Sequence, residues 1–222
     1  MTGEEIMRTQ APVVKVGATA EASIEPDIAI FGIRFGRRCK AQDACATDFA
    51  SEQQKVKVAL ERFGVVDDFK TSGYASYAHR TGKRGTIDGY DYVCYGSLEV
   101  TRKNNDVGAI WQALAECGTS ASIGLHYELK DVHASEDALI RQAVERARSS
   151  AETLAEAAGM VLGGVKEIRY RRDNDGFGTI CFDAAPPSSP LGDSSMPDFS
   201  PEPINIECHV DVDWWLANTA SH

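Results

Sequence analysis

Glu207, His209, Asp211 and Asp213 fall on alternate positions near the end of this 222-residue chain. In a strand that spacing puts all four on one face, with successive side chains about 6.6 Å apart, so neighbours can share a metal ion. A wetted sheet face or a subunit contact is the competing reading. Cys39 and Cys45 flank an expected helix start, where a thiol can have a lowered pKa, which makes them the redox candidates among six cysteines. His79-Arg80-Thr81-Gly82-Lys83-Arg84-Gly85-Thr86 is the one basic cluster. Its glycines can expose N–H groups to an anion, but the spacing is not that of a phosphate-binding loop, and a solvated hairpin tip explains it as well. Asp173-Asn174-Asp175-Gly176 imitates the start of a calcium loop. Phe177 stands where an oxygen ligand belongs and no bidentate Glu follows, so this is a turn. His126 and His133 lack any nucleophile signature such as G-x-S-x-G. Trp214-Trp215 sends one ring to each face of a strand, one into the core and one toward a partner.

Composition narrows the class. The net charge of −10 argues against a large nucleic-acid interface, and no run is long and apolar enough to span a membrane. Met1-Thr2-Gly3-Glu4-Glu5 lacks the basic start and apolar core of a secretory leader. A cytoplasmic, reducing location with structural thiols follows as the expectation, and a trimmed leader would leave the periplasm as the alternative. No Cys/His spacing matches a zinc finger.

These residues need elements to hold them. Val14, Val16, Ala18, Ala20 and Ala22 alternate with polar residues, which predicts a strand. Glu25-Pro26-Asp27 is a turn into a second strand, Ile28 to Arg38, with Ala29, Phe31, Ile33 and Phe35 on one face. So short a link predicts antiparallel neighbours. Gln42 to Phe63 keeps the helical period and stops at Gly64. Strands follow over Phe69–His79 and Tyr90–Arg102, joined by a polar loop, Arg80–Gly89. Asn105 or Asp106 caps a helix through Cys117, and Ser122–Lys130 is the next strand.

The longest helix is Ala-rich, about Ala134 to Ala158, capped by Ser135 and stopped by Gly159. Its expected buried stripe is Ile140, Ala143, Val144, Ala147, Ala151, Leu154 and Ala158, narrow enough to lie close on a sheet. Asp137/Arg141, Arg141/Glu145 and Arg148/Glu152 support its wet face. A strand near Val165–Arg172, an irregular Pro/Ser-rich segment over 173–203, and a last strand from Ile204 complete the chain.

The order ββαββ-α-β-α-ββ predicts an α+β fold of largely antiparallel sheet with helices on one face. It forms one domain over 11–217, with two intergrown subdomains, about 11–103 and 104–217, as the finer division.

The ordered set Val14-Lys15-Val16-Gly17, Pro26-Asp27, Gly89-Tyr90 with Val93–Val100, Ala138-Leu139 through Ala143, Ala147-Arg148, Ala151-Glu152, Leu154-Ala155, Ala158-Gly159, Leu162-Gly163 and Pro203-Ile204 resembles the SIMPL domain family. The likeness spans about Val13 to Leu216. It implies helix-covered sheets, assembly into large rings in some members, and links to stress resistance, with no catalytic motif to carry over. The expected function is therefore a non-enzymatic scaffold that associates with itself and with protein partners, without cofactor. Trp215, Pro201 and Pro203 are its expected contact residues. A small-molecule or metal-binding module on the Glu207–Asp213 face and a thiol redox sensor at Cys39/Cys45 are the alternatives.

Overall fold

The computed structural model describes residues 12–82, 85–171 and 199–218. Seven strands and three helices run in the expected order: β1 (Val13–Ile24), β2 (Ile28–Cys39), α1 (Gln42–Glu61), β3 (Phe69–Thr81), β4 (Thr86–Thr101), α2 (Val107–Glu116), β5 (Ser122–Glu128), α3 (Val132–Ala157), β6 (Met160–Arg171) and β7 (Ile204–Asn218). Every strand pairing is antiparallel. The strands form two sheets, β1-β7-β6 and β3-β4-β2-β5, so the protein is α+β.

The chain divides into two units. One holds β1, α3, β6 and β7; the other runs from Glu25 to Lys130 and takes in Phe199. A boundary near residue 103 is not where contacts thin. The first and last strands pair with each other over Val13–Trp215 to Ile24–Ile204, which closes the first unit around the second in sequence. This also corrects the reading of β1 and β2 as neighbours. The turn between them bonds to other partners: the Arg102 N–H donates to the Asp27 carbonyl at 2.9 Å, the Lys130 N–H to Asp27 Oδ1 at 2.7 Å, and Arg102 Nη1 to the Pro26 carbonyl at 2.6 Å. Those bonds hold the start of β2 against the ends of β4 and β5.

In the second unit, Phe31, Ile33 and Phe35 of β2 and Tyr92, Cys94, Leu98 and Val100 of β4 meet Cys45, Val56 and Leu60 of α1 and Ile110 and Leu114 of α2. The predicted alternation of β4 is realised. Asp106 caps α2, its Oδ1 accepting the Ala109 N–H at 3.0 Å. β3 and β4 run further than expected, to Thr81 and from Thr86, and the Gly85 N–H donates to the Gly82 carbonyl at 3.1 Å.

In the first unit α3 packs on all three strands. It begins earlier than predicted: Asp131, not Ser135, is the cap, its Oδ1 accepting the Ala134 N–H at 2.8 Å. The earlier start goes with a turned face. The buried residues are Glu136, Leu139, Ala143, Ala147, Ala151 and Ala155, while Leu154 is 52% exposed. The alanines let α3 approach Ala20, Ile206, Cys208, Val210 and Val212 with little between them. Of the three expected ion pairs on its wet side, Arg148–Glu152 closes at 3.0 Å. β6 starts at Met160, five residues before the predicted start. Gly163-Gly164 reads as a break but sits in a register shift of the ladder, where a Cβ on Gly163 would lie 2.8 Å from the Trp215 carbonyl. The Pro/Ser-rich segment and Asp173–Gly176 lie outside the described residues, apart from 199–203.

Candidate functional site

β7 carries the candidate residues because its alternation is strict. Ile206, Cys208, Val210, Val212 and Trp214 are buried on the side that α3 covers. Glu207, His209, Asp211, Asp213 and Trp215 take the opposite face, where β1 and β6 flank them.

Asp213 is 1% exposed despite facing away from the helix. Arg169 Nη2 donates to its Oδ1 at 2.9 Å from β6. Lys15 Nζ lies 3.1 Å from Oδ2, across the β1 register, as an ion pair off the hydrogen-bonding angle. Arg169 also holds Glu167 at 3.0 Å. The Arg169 guanidinium holds the Asp213 carboxyl below the usual range against the cost of burial, and Lys15 assists. Asp213 is thus a buried charge held between two cations, its Oδ1 hydrogen-bonded by Arg169 and its Oδ2 facing Lys15 as an ion pair.

His209 and Asp211 form a second group. His209 Nδ1 lies 3.0 Å from Thr19 Oγ1, and its Nε2 lies 3.4 Å from Asp211 Oδ1. Gly17, opposite Asp211 in the register, makes room for both: a Cβ there would stand 2.9 Å from Asp211 Oδ1 and 3.3 Å from His209 Cε1. Glu207 stands opposite Glu21, and both are exposed. The four candidates therefore separate into small groups, each engaged with its strand neighbours. Among the described residues no three His, Cys, Asp or Glu side chains converge as a metal ion needs. The tryptophans divide as predicted, Trp214 buried and Trp215 38% exposed, with Lys166 Nζ 4.9 Å above the Trp215 ring. Pro201 is half-buried and Pro203 exposed.

The basic cluster is partly neutralised by acids on β4. Arg38 Nε donates to Asp91 Oδ1 at 3.0 Å, and His79 Nδ1 lies 3.0 Å from Asp91 Oδ2 and 2.8 Å from Arg38 Nη2. Arg38 lowers the Asp91 pKa. Arg80 Nη1 turns back to the Gly85 carbonyl at 3.0 Å. Lys83 and Arg84 lie outside the described residues.

Cys39 ends β2 and Cys45 sits in the first turn of α1. The expected acidic thiol is corrected at Cys45. Burial, with the Cys39 thiol beside it, pushes Cys45 up to about 11, because the side chain enters the core instead of facing water at the helix end. Cys94 and Cys208 are buried, and burial raises both.

Two features had no legible signal. Glu52, at 4% exposure on α1, receives Lys55 Nζ at 2.6 Å, Thr119 Oγ1 at 2.8 Å and the Ser120 N–H at 2.5 Å. Lys55 is a helix neighbour, but Thr119 and Ser120 lie far along the chain, so no local pattern announces the burial of the carboxylate. The second is β6, an edge strand whose Val161, Val165, Ile168 and Tyr170 are about half exposed. Val165, Ile168 and Tyr170 lie opposite Trp214, Val212 and Val210, so they continue the apolar face of β7 outward. A groove of about 690 Å³ runs between α1 and α2, lined by Val58, Ala59, Ala113 and Cys117 with Lys55, Arg62 and Glu116. It gathers no catalytic set.

A family model described as SIMPL, protein of unknown function (DUF541), matches residues 14–214. The chain is also similar to the 26 kDa periplasmic immunogenic proteins of Brucella melitensis biotype 1 and Brucella abortus strain S19. Each is 28% identical over 173 residues, covering 74% of this chain and 69% of the relative. With helix-covered antiparallel sheets and a match over nearly its whole length, the chain belongs to the SIMPL family.

Proposed function

We propose that this protein acts by self-association, as a scaffold or interaction protein and not as a catalyst, with β6 as the main contact. The observation that carries this reading is an edge strand with an exposed apolar face. An edge leaves a row of backbone N–H and C=O groups open to another strand. Val165 and Ile168 present apolar area that α3 does not cover, with Ile168 53% exposed. Pairing with a second copy satisfies both demands at once. Trp215, Pro201 and Pro203 are further proposed contact residues, and an exposed ring held by a lysine suits an interface rim. The self-paired charges of Lys15, Arg169 and Asp213 add selectivity more than affinity. A role in stress response and contacts with other proteins are part of the proposal.

Light scattering coupled to size-exclusion chromatography tests it. The chain is expected to elute as a defined assembly, and Val165→Lys with Ile168→Lys is expected to reduce it to the 24.1 kDa protomer with unchanged circular dichroism. A wild-type monomer at micromolar concentration ends the reading. An assembly indifferent to both lysines removes β6 from it.

We propose a periplasmic location, which the name of the Brucella relatives supports over the cytoplasm expected from the N-terminal residues. No described helix is long and apolar enough to cross a membrane. Osmotic-shock fractionation is expected to release the protein, and retention with a cytoplasmic marker refutes this location.

A further inference from the structure

Two cysteines flank the β2–α1 turn at the edge of the core of the second unit. The odd-numbered residues of β2 face α1: Phe31, Ile33 and Phe35 are buried, and Arg37 Nη1 reaches Asp48 of α1 at 3.2 Å. Cys39 continues that face and is half-buried against the core. α1 starts at Gln42, and its first turn aims Cys45 back inward, fully buried. The Cys45 thiol donates to the Tyr90 carbonyl at 3.4 Å, and Tyr90 is the residue that β4 sets opposite Cys39. Both cysteines thus sit beside Tyr90, one through the strand register and one through its thiol. The remaining described cysteines have no such pairing: Cys94 and Cys208 are buried apart, and Cys117 Sγ contacts the Leu114 carbonyl of its own helix at 3.1 Å.

We propose that Cys39 and Cys45 close into an intramolecular disulfide when the protein meets a disulfide oxidant, clasping the start of α1 to the end of β2. Cys39 is the more accessible, so it reacts first. It gives its proton to water, and its thiolate attacks one sulfur of the oxidant; that S–S bond breaks and one half leaves as a thiolate. Cys45 then loses its proton and attacks Cys39 Sγ, expelling the second half as a thiolate. The protein loses two electrons and two protons, and the oxidant's disulfide becomes two thiols. Burial of Cys45 makes the second step the slow one at neutral pH and faster in alkali, because only the thiolate attacks.

The test uses the full chain, reduced and then exposed to oxidised glutathione, alkylated in denaturant and digested with trypsin. Cleavage after Arg38, Lys40 and Lys55 isolates Cys39-Lys40 from the peptide Ala41–Lys55. The expected product is those two peptides joined, with two thiols lost per chain, restored by dithiothreitol and formed faster as pH rises. Cys45→Ala is expected to stop at a glutathione adduct on Cys39. Should that variant misfold, the wild-type map decides alone. Recovery of both cysteines alkylated, a persistent glutathione adduct on wild-type Cys39, or a link from either to another cysteine overturns the proposal. None of these outcomes depends on the assembly state.

Discussion

Glu52 is the residue whose charge most directly supports the fold. Burial alone raises a carboxyl, yet the Lys55 ammonium, the Ser120 N–H and the Thr119 hydroxyl together bring it from its ordinary 4.5 down to about 2. A carboxyl depressed on folding stabilises above its unfolded value, and that contribution disappears as pH falls through the folded value. The window here runs from about 4.5 down to about 2. The difference corresponds to a contribution on the order of 3 kcal/mol at neutral pH. Glu52→Ala is therefore expected to cost roughly 2–4 kcal/mol in urea unfolding at pH 7, since it strands three donors. The gap from wild type should close as the pH approaches 2. A gap that does not change with pH would mean that the carboxylate's charge is not what matters.

Among the elements, α3 shows why a periodic reading can find a helix and still miss its face. Ala143, Ala147 and Ala151 belong to the expected stripe and are buried, but beside them the 3.6-residue period admits either Ile140, Val144 and Leu154 or Leu139 and Ala155. Packing chose the second set, because alanines allow the closer approach to β7 and β1. Ala147→Glu is expected to cost several kcal/mol, about 3 or more, as a carboxylate enters a space with neither room nor water. Leu154→Ala is expected to cost less than about 1 kcal/mol, since half of its surface is already wet. Thermal denaturation of the two variants separates these outcomes; equal losses would restore Leu154 to the buried face.

For the molecule as a whole, the sheet orders set a hierarchy of protection. Among the described strands, β2, β4 and β7 each lie between two partners, whereas β1, β3, β5 and β6 are edges. Backbone amides of the inner strands are expected to exchange most slowly. The amides of β6 discriminate further: in the assembled protein they should be protected nearly as well as those of β7, and in the lysine variants they should exchange like an ordinary edge. Hydrogen exchange resolved by peptide reads both. Fast exchange in β6 of an intact assembly would place the contact elsewhere.

Element types and their order were legible because they rest on neighbours in sequence. The alternation of Tyr92, Cys94, Gly96, Leu98 and Val100, the division of Trp214 from Trp215, and the Asp106 cap each need only a few adjacent residues. Partnership was not legible. That β1 bonds β7 and not β2, that Asp213 is enclosed by Lys15 and Arg169, and that Glu52 anchors Thr119 all depend on side chains distant along the chain. Tertiary packing decided those pairings, because a long-range contact follows from which faces are left apolar and which donors left unpaired once every local element has formed.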